Sequence, residues 1–131
     1  MLLSKKSLFI LLFYIASVAA GTPLFETVTV WDKYPSNRPN YRIPALISAP
    51  NGDLLVFAEK RHHGIGDIGN TDIVMKRSID KGRSWGAEEV LYDSGYETNT
   101  DPTPVIDRIT KRIWLFFLRD KKRYYTMYSD D

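Results

Sequence analysis

Cysteine is absent from the 131 residues, so no disulfide can brace the fold and stability must come from a packed apolar core. No Asn-Xaa-Ser/Thr triplet occurs either, which removes the acceptor for N-linked glycans. Beyond the first twenty residues no stretch carries the 3.6-residue apolar period of a helix. Nor is charge of one sign in excess. The chain has 18 Lys and Arg against 16 Asp and Glu, and two of the bases, Lys5 and Lys6, sit at the very start. From residue 21 onward the balance is 16 to 16, which gives no electrostatic ground for a nucleic-acid partner.

What is present begins with a leader. Lys5 and Lys6 precede an apolar run, Leu8 to Ile15, and small residues follow at Ala16, Ser17, Ala19 and Ala20. This order reads as a secretory signal peptide over residues 1–20. The apolar run is shorter than the roughly 20 residues of a membrane-spanning helix, so obligatory membrane insertion is not expected. The competing reading is an uncleaved anchor, because no charge follows the run until Glu26. Export leaves the destination open between the extracellular space and the lysosome.

Residues 21–131 read as short strands separated by turns. Expected strands are Glu26–Trp31, Ile43–Ser48, Leu54–Ala58, Ile73–Met75, Glu89–Tyr92, Pro104–Ile106, Ile113–Leu118 and Tyr124–Tyr128. Asn51-Gly52 between the second and third is a hairpin marker. The class is all-β: sandwich, barrel or propeller. Composition does not choose among them.

A motif does. Ser78-Ile79-Asp80-Lys81-Gly82-Arg83-Ser84-Trp85 follows S-x-D-x-G-x-x-W. The Ser and Asp side chains can bond the local backbone, Gly82 can take a positive φ, and the Trp85 ring can fold beneath the turn. This resembles the Asp box of sialidase-like propellers, a scaffold turn in which Asp80 has no chemistry. A calcium loop does not fit, since oxygen ligands do not recur at alternate positions. Tyr128-Ser129-Asp130-Asp131 looks like the opening of a second such turn, an expectation that makes the chain an N-terminal piece of a larger domain.

Tyr41-Arg42-Ile43-Pro44 resembles the arginine-isoleucine-proline signature of the exo-α-sialidase (neuraminidase) family. A guanidinium fork suits the carboxylate of sialic acid, and Pro44 is expected to hold Ile43 extended. The resemblance implies that Arg42 is the first of three carboxylate-binding arginines. It implies that Arg61, at a strand end, lines the sugar pocket. Asp67, in the loop His62 to Asn70, becomes the general acid/base, which calls for a raised pKa. The glycines at 64, 66 and 69 suggest a loop able to move. Asp101, before Pro102, becomes an acceptor for a sugar hydroxyl and is expected to be extended. His62-His63 gives no metal site, since neighbours on an extended chain point apart; no metal or other cofactor is expected.

The implied architecture is a six-bladed β-propeller, of which this chain supplies about the first two blades. The implied reaction is retaining hydrolysis of terminal α-linked sialic acids from glycoproteins, gangliosides or oligosaccharides. It uses a tyrosine nucleophile, which suits a substrate already bearing a carboxylate at the reacting carbon. None of the eight tyrosines here has a matching context, so the chain alone is expected to be inactive, with the rest of its propeller missing. Two rival readings remain: a non-catalytic glycan-binding or sorting-receptor propeller, and a secreted structural module without a ligand.

Overall fold

The computed structural model describes residues 25–32 and 39–130. The leader 1–20 and the last residue of the second proposed turn, Asp131, lie outside the described residues. Among the described residues seven strands form two antiparallel sheets. The first sheet has the order β1 (Asn40–Ser48), β2 (Leu54–Arg61), β3 (Thr71–Ser78), β4 (Glu89–Tyr92). The second has β5 (Asn99–Ile106), β6 (Ile113–Arg119), β7 (Arg123–Ser129).

Alternation along the strands builds the core between the sheets. Leu55 and Phe57 of β2, Ile73 and Met75 of β3, and Ile113, Leu115 and Phe117 of β6 are buried in one cluster. Their spacing of two puts each set on a single face. On β2 the same face continues through Glu59 and Arg61, so it is apolar at one end and charged at the other. Glu59 pairs with Ile73 and Arg61 with Thr71 across the β2–β3 ladder.

β1 and β5 share one irregularity. On β1, Ala45 pairs with Phe57 but Arg42 pairs with Glu59, so three steps on β1 match two on β2. On β5, Thr103 pairs with Phe116 and Thr100 with Leu118, the same one-residue excess. Each is a β-bulge. The residue before proline takes a left-handed backbone in both: Ile43 at φ 51° and Asp101 at φ 60°. Neither is extended as expected. Proline biases its predecessor towards extended backbone, and here the bulge overrides that bias with the left-handed region. A slip of one residue turns every side chain beyond it to the other face. Arg42 thus shares the face of Glu59 and Arg61 instead of pairing beside Lys60.

One further expectation changes. Glu26–Trp31 is not a strand. Lys76 Nζ donates to Val30 O at 2.8 Å and Trp31 Nε1 to Glu88 Oε2 at 2.9 Å, while the Trp31 ring stacks on Tyr41 at 5.2 Å. These side-chain anchors tie the segment to the first sheet in place of ladder pairing. The β1–β2 hairpin falls where the Asn51-Gly52 marker places it: Ser48 pairs with Leu54, and Gly52, at φ 94°, turns a five-residue loop closed by Ala49 N to Asp53 O at 2.8 Å.

The turn after β3 closes on its own side chains. Ser78 Oγ accepts from Gly82 N and donates to Asp80 Oδ1, both at 2.8 Å. Asp80 accepts from Ser84 N at 2.9 Å and from the Ser84 hydroxyl. Gly82 has φ 86°, and Trp85 is half-buried. These bonds, led by the Ser84 hydroxyl, lower the Asp80 carboxyl to about 2. Ser129 ends the third strand of its sheet, as Ser78 does, pairing with Ile113 where Ser78 pairs with Leu54.

Candidate active site

A cavity of about 400 Å³ opens where β1, β2 and β5 meet, lined by Arg42, Glu59, Arg61, Asp67, Thr100 and Asp101 among others. The residues singled out for chemistry in the sequence, Arg42, Arg61, Asp67 and Asp101, all border it. The Asp box lies elsewhere, at the far end of β3, and contributes nothing to this cavity.

Arg61 is its centre. The side chain is 3% exposed, and its Nε donates to Glu59 Oε2 at 2.8 Å. Its Nη1 reaches Asp67 Oδ1 at 2.7 Å, Gly66 O at 2.8 Å and Ile65 O at 3.0 Å. Burial works against the guanidinium charge, but the bonds and charges of Glu59 and Asp67 outweigh it and the pKa is raised. Arg42 is more open. Its Nη1 donates to Ile65 O at 3.2 Å and stands 3.7 Å from Asp67 Oδ1.

Asp67 is 68% exposed, and its carboxyl is held below the usual carboxylate range. The Arg61 hydrogen bond is the chief cause, followed by the Arg61 charge; Arg42 and Lys121 add smaller pulls in the same direction. The raised pKa expected of a general acid is therefore not a property of the unliganded site. An open carboxylate beside a guanidinium is stabilised in its charged form.

The loop carrying Asp67 is tied down more than its glycines suggest. His62 N donates to Asn70 O at 3.0 Å across its base. Gly69 N donates to Thr98 Oγ1 at 2.8 Å, and Thr98 and Thr71 hydroxyls both donate to Gly69 O at 3.1 Å. The two histidines part, but within a turn and not on the extended chain expected: His62 Nε2 meets Asp72 Oδ2 at 2.7 Å, and His63 turns back into the loop. Among the described residues no group of three or more His, Cys, Asp or Glu is placed to hold a metal ion.

Sequence reasoning missed Glu59, which is 1% exposed. Its Oε2 takes Arg61, and its Oε1 accepts from Asp101 N at 3.0 Å, joining the two sheets. The available clue was an acid two residues before Arg61 in an otherwise apolar strand, hence on the same face. Lys121 was missed as well. It borders the cavity from the β6–β7 turn, where Asp120 and Lys121 take φ 50° and 52°. The Thr100 hydroxyl, also on the lining, is buried with no protein partner among the described residues.

No protein-family model matches the chain. A sialidase of Micromonospora viridifaciens is 35% identical over 108 residues, 79% of this chain and 16% of its own length. Mouse sialidase-3 is 35% identical over 102 residues, 73% of this chain and 24% of its own. An exo-alpha-sialidase of Arthroderma benhamiae is 33% identical over 65% of this chain and 22% of its own. The solved structure of the Hadza microbial sialidase Hz136 superposes with a TM-score of 0.61, at 23% identity over 73% of this chain and 24% of that one. The paired antiparallel sheets thus recur in a sialidase. The chain spans less than a quarter of the length of each of these relatives, and through them it belongs to the exo-α-sialidase family.

Proposed function

We propose that the chain supplies the opening part of an exo-α-sialidase propeller, and that its cavity is one wall of the site that binds and cleaves terminal sialic acids. The single observation that carries this reading is the convergence of Arg42, Arg61, Asp67 and Asp101 on one cavity from four separate stretches of chain. The two sheets correspond to the first two of about six blades of such a fold. Phe116 and Tyr128, 43% and 58% exposed on the second sheet, suit a surface that a further blade covers. Residues 1–20 act as a signal peptide and deliver the protein to the secretory pathway.

In this reading the sialic acid carboxylate docks on Arg42, which is open enough to receive it. Asp101 accepts from a ring hydroxyl, and Arg61 holds the wall. Asp67 protonates the departing glycosidic oxygen and then deprotonates the attacking water. The anion docking beside it works against the depression of the Asp67 carboxyl: its own negative charge opposes ionisation of a neighbouring carboxyl, it offsets the smaller pull of Arg42, and it displaces water. The nucleophilic tyrosine, its glutamate partner and the remaining arginines belong to later blades, so the 131-residue chain by itself does not turn over sialosides. The substrates are sialylated glycans: glycoproteins, gangliosides or oligosaccharides.

The test is a graft. Residues 25–130 replace the matching stretch of the Micromonospora viridifaciens sialidase, and a fluorogenic sialoside is offered. Turnover is expected from the graft and none from the isolated chain. Arg42→Ala in the graft should lower kcat/KM by about a hundredfold, the scale of a lost charged contact of about 3 kcal/mol. A folded graft whose turnover is indifferent to Arg42 and Asp67 would reject the assignment.

A further inference from the structure

Among the described residues both ring nitrogens of His63 face carbonyl acceptors. Its Nδ1 lies 3.0 Å from Asn70 O and its Nε2 lies 3.2 Å from Gly66 O. A carbonyl oxygen cannot donate, so each ring nitrogen must carry a proton for both bonds to form, and only the imidazolium has two. The neutral ring leaves one nitrogen lone pair against a carbonyl. The loop is also moulded to the ring: a Cβ at Gly69 would stand 2.7 Å from His63 Cγ and Nδ1, and Gly69 has φ 134°. Gly66 O, one of the two clamped carbonyls, also accepts from Arg61 Nη1 at 2.8 Å. Asp67 is the next residue.

We propose that His63, as an imidazolium, is a positioning residue that clamps the 62–70 loop and so sets where the Asp67 carboxylate stands. The ring bonds two carbonyls on either side of Asp67, one at its immediate predecessor and one three residues on. The charged groups around it are few. Arg61 and Asp67 pair with each other, Asp72 on β3 is engaged by His62, and from β5 the neighbour of Gly69 is the uncharged Thr98 hydroxyl. The clamp is closed when His63 is charged and loses one of its two bonds when the ring becomes neutral. The Asp67 arm of the cavity is therefore held most firmly while both ring nitrogens carry protons.

The functional meaning of this clamp rests on the reading of Asp67 as proton donor. The measurement contains no sialoside, however, so its failure and the failure of the grafted enzyme are distinguishable. On the 131-residue chain, ring ¹⁵N shifts of His63 and amide protection of His62 and Gly69 are followed from about pH 5 to about pH 8. Both ring nitrogens should be protonated at the acid end, and protection corrected for intrinsic exchange should fall with the same midpoint as the ring titration. His63→Phe, a ring without donors, should lower protection of those amides about tenfold and flatten the profile, while the β2–β3 ladder keeps its protection. His63→Gln, with donors on one side, should fall between. A single-proton ring at about pH 5 with undiminished loop protection overturns the proposal, and so does His63→Phe with the wild-type profile. If His63→Phe does not fold, the wild-type ring and its profile decide alone.

Discussion

Glu59 and Arg61 lie two residues apart on β2, on one face, and are almost wholly enclosed at 1% and 3% exposure while bonded to each other at 2.8 Å. Two charges withdrawn from water in this way stand only if each is answered. Glu59 answers Arg61 through one oxygen and the Asp101 amide through the other. Its removal should therefore disturb both sheets. Glu59→Ala is expected to cost about 3 kcal/mol of stability, since it leaves a buried guanidinium with only the exposed Asp67 carboxylate opposite. Urea unfolding of the two forms measures it; a loss below about 1 kcal/mol would show that water already reaches the pair.

Ile43 gives a prediction of opposite sign. A β-branched residue at φ 51° is strained, and its side chain is 40% exposed, so little burial is at stake. Ile43→Gly should raise stability by about 1 kcal/mol, the relief of strain less the added freedom of the unfolded chain. Unfolding midpoints that fall instead would mean the isoleucine side chain, and not the bulge, holds this corner.

Asp80 predicts a pH dependence. Its folded pKa, about 2, lies below the ordinary 3.8. A depressed carboxyl contributes stability that is fully present above the unfolded value and disappears as pH falls through the folded one. Unfolding midpoints of wild type and Asp80→Asn should therefore differ most above about pH 4 and converge towards about pH 2. A gap that stays constant across that window would take the stabilisation away from the carboxylate charge.

Asp67 should titrate below the normal range in the free chain, and ¹³C shifts of its carboxyl carbon report this directly. Arg42→Ala should move the midpoint upward only slightly, because the Arg61 bond is the main cause of the depression. A large upward move would make Arg42 the controlling cation.

Much of this was legible in the residues. The strands of both sheets, the Ser78–Trp85 turn and the set Arg42, Arg61, Asp67 and Asp101 follow from alternation, turn chemistry and family resemblance. What stayed hidden depends on partners distant in sequence. Glu26–Trp31 alternates like a strand but is anchored by Glu88 and Lys76, which no local pattern announces. Proline after Ile43 and Asp101 suggested extended chain; only the pairing with β2 and β6 reveals a bulge in each. The depressed carboxyl of Asp67 likewise reflects a guanidinium whose orientation is fixed by Glu59.

The seam between the sheets differs along its length. Away from the cavity it is an oily contact of Phe57, Met75, Leu115 and neighbours. Beside the cavity it is stitched by directional bonds: Asn99 Nδ2 to Thr71 O at 2.7 Å, Thr71 N to Glu97 O at 3.2 Å, and Thr98 to Gly69. Greasy surfaces tolerate sliding, whereas hydrogen bonds weaken steeply once their angle is lost. Shear between the sheets is thus resisted most beside the cavity, and small repacking elsewhere can be absorbed without moving its lining.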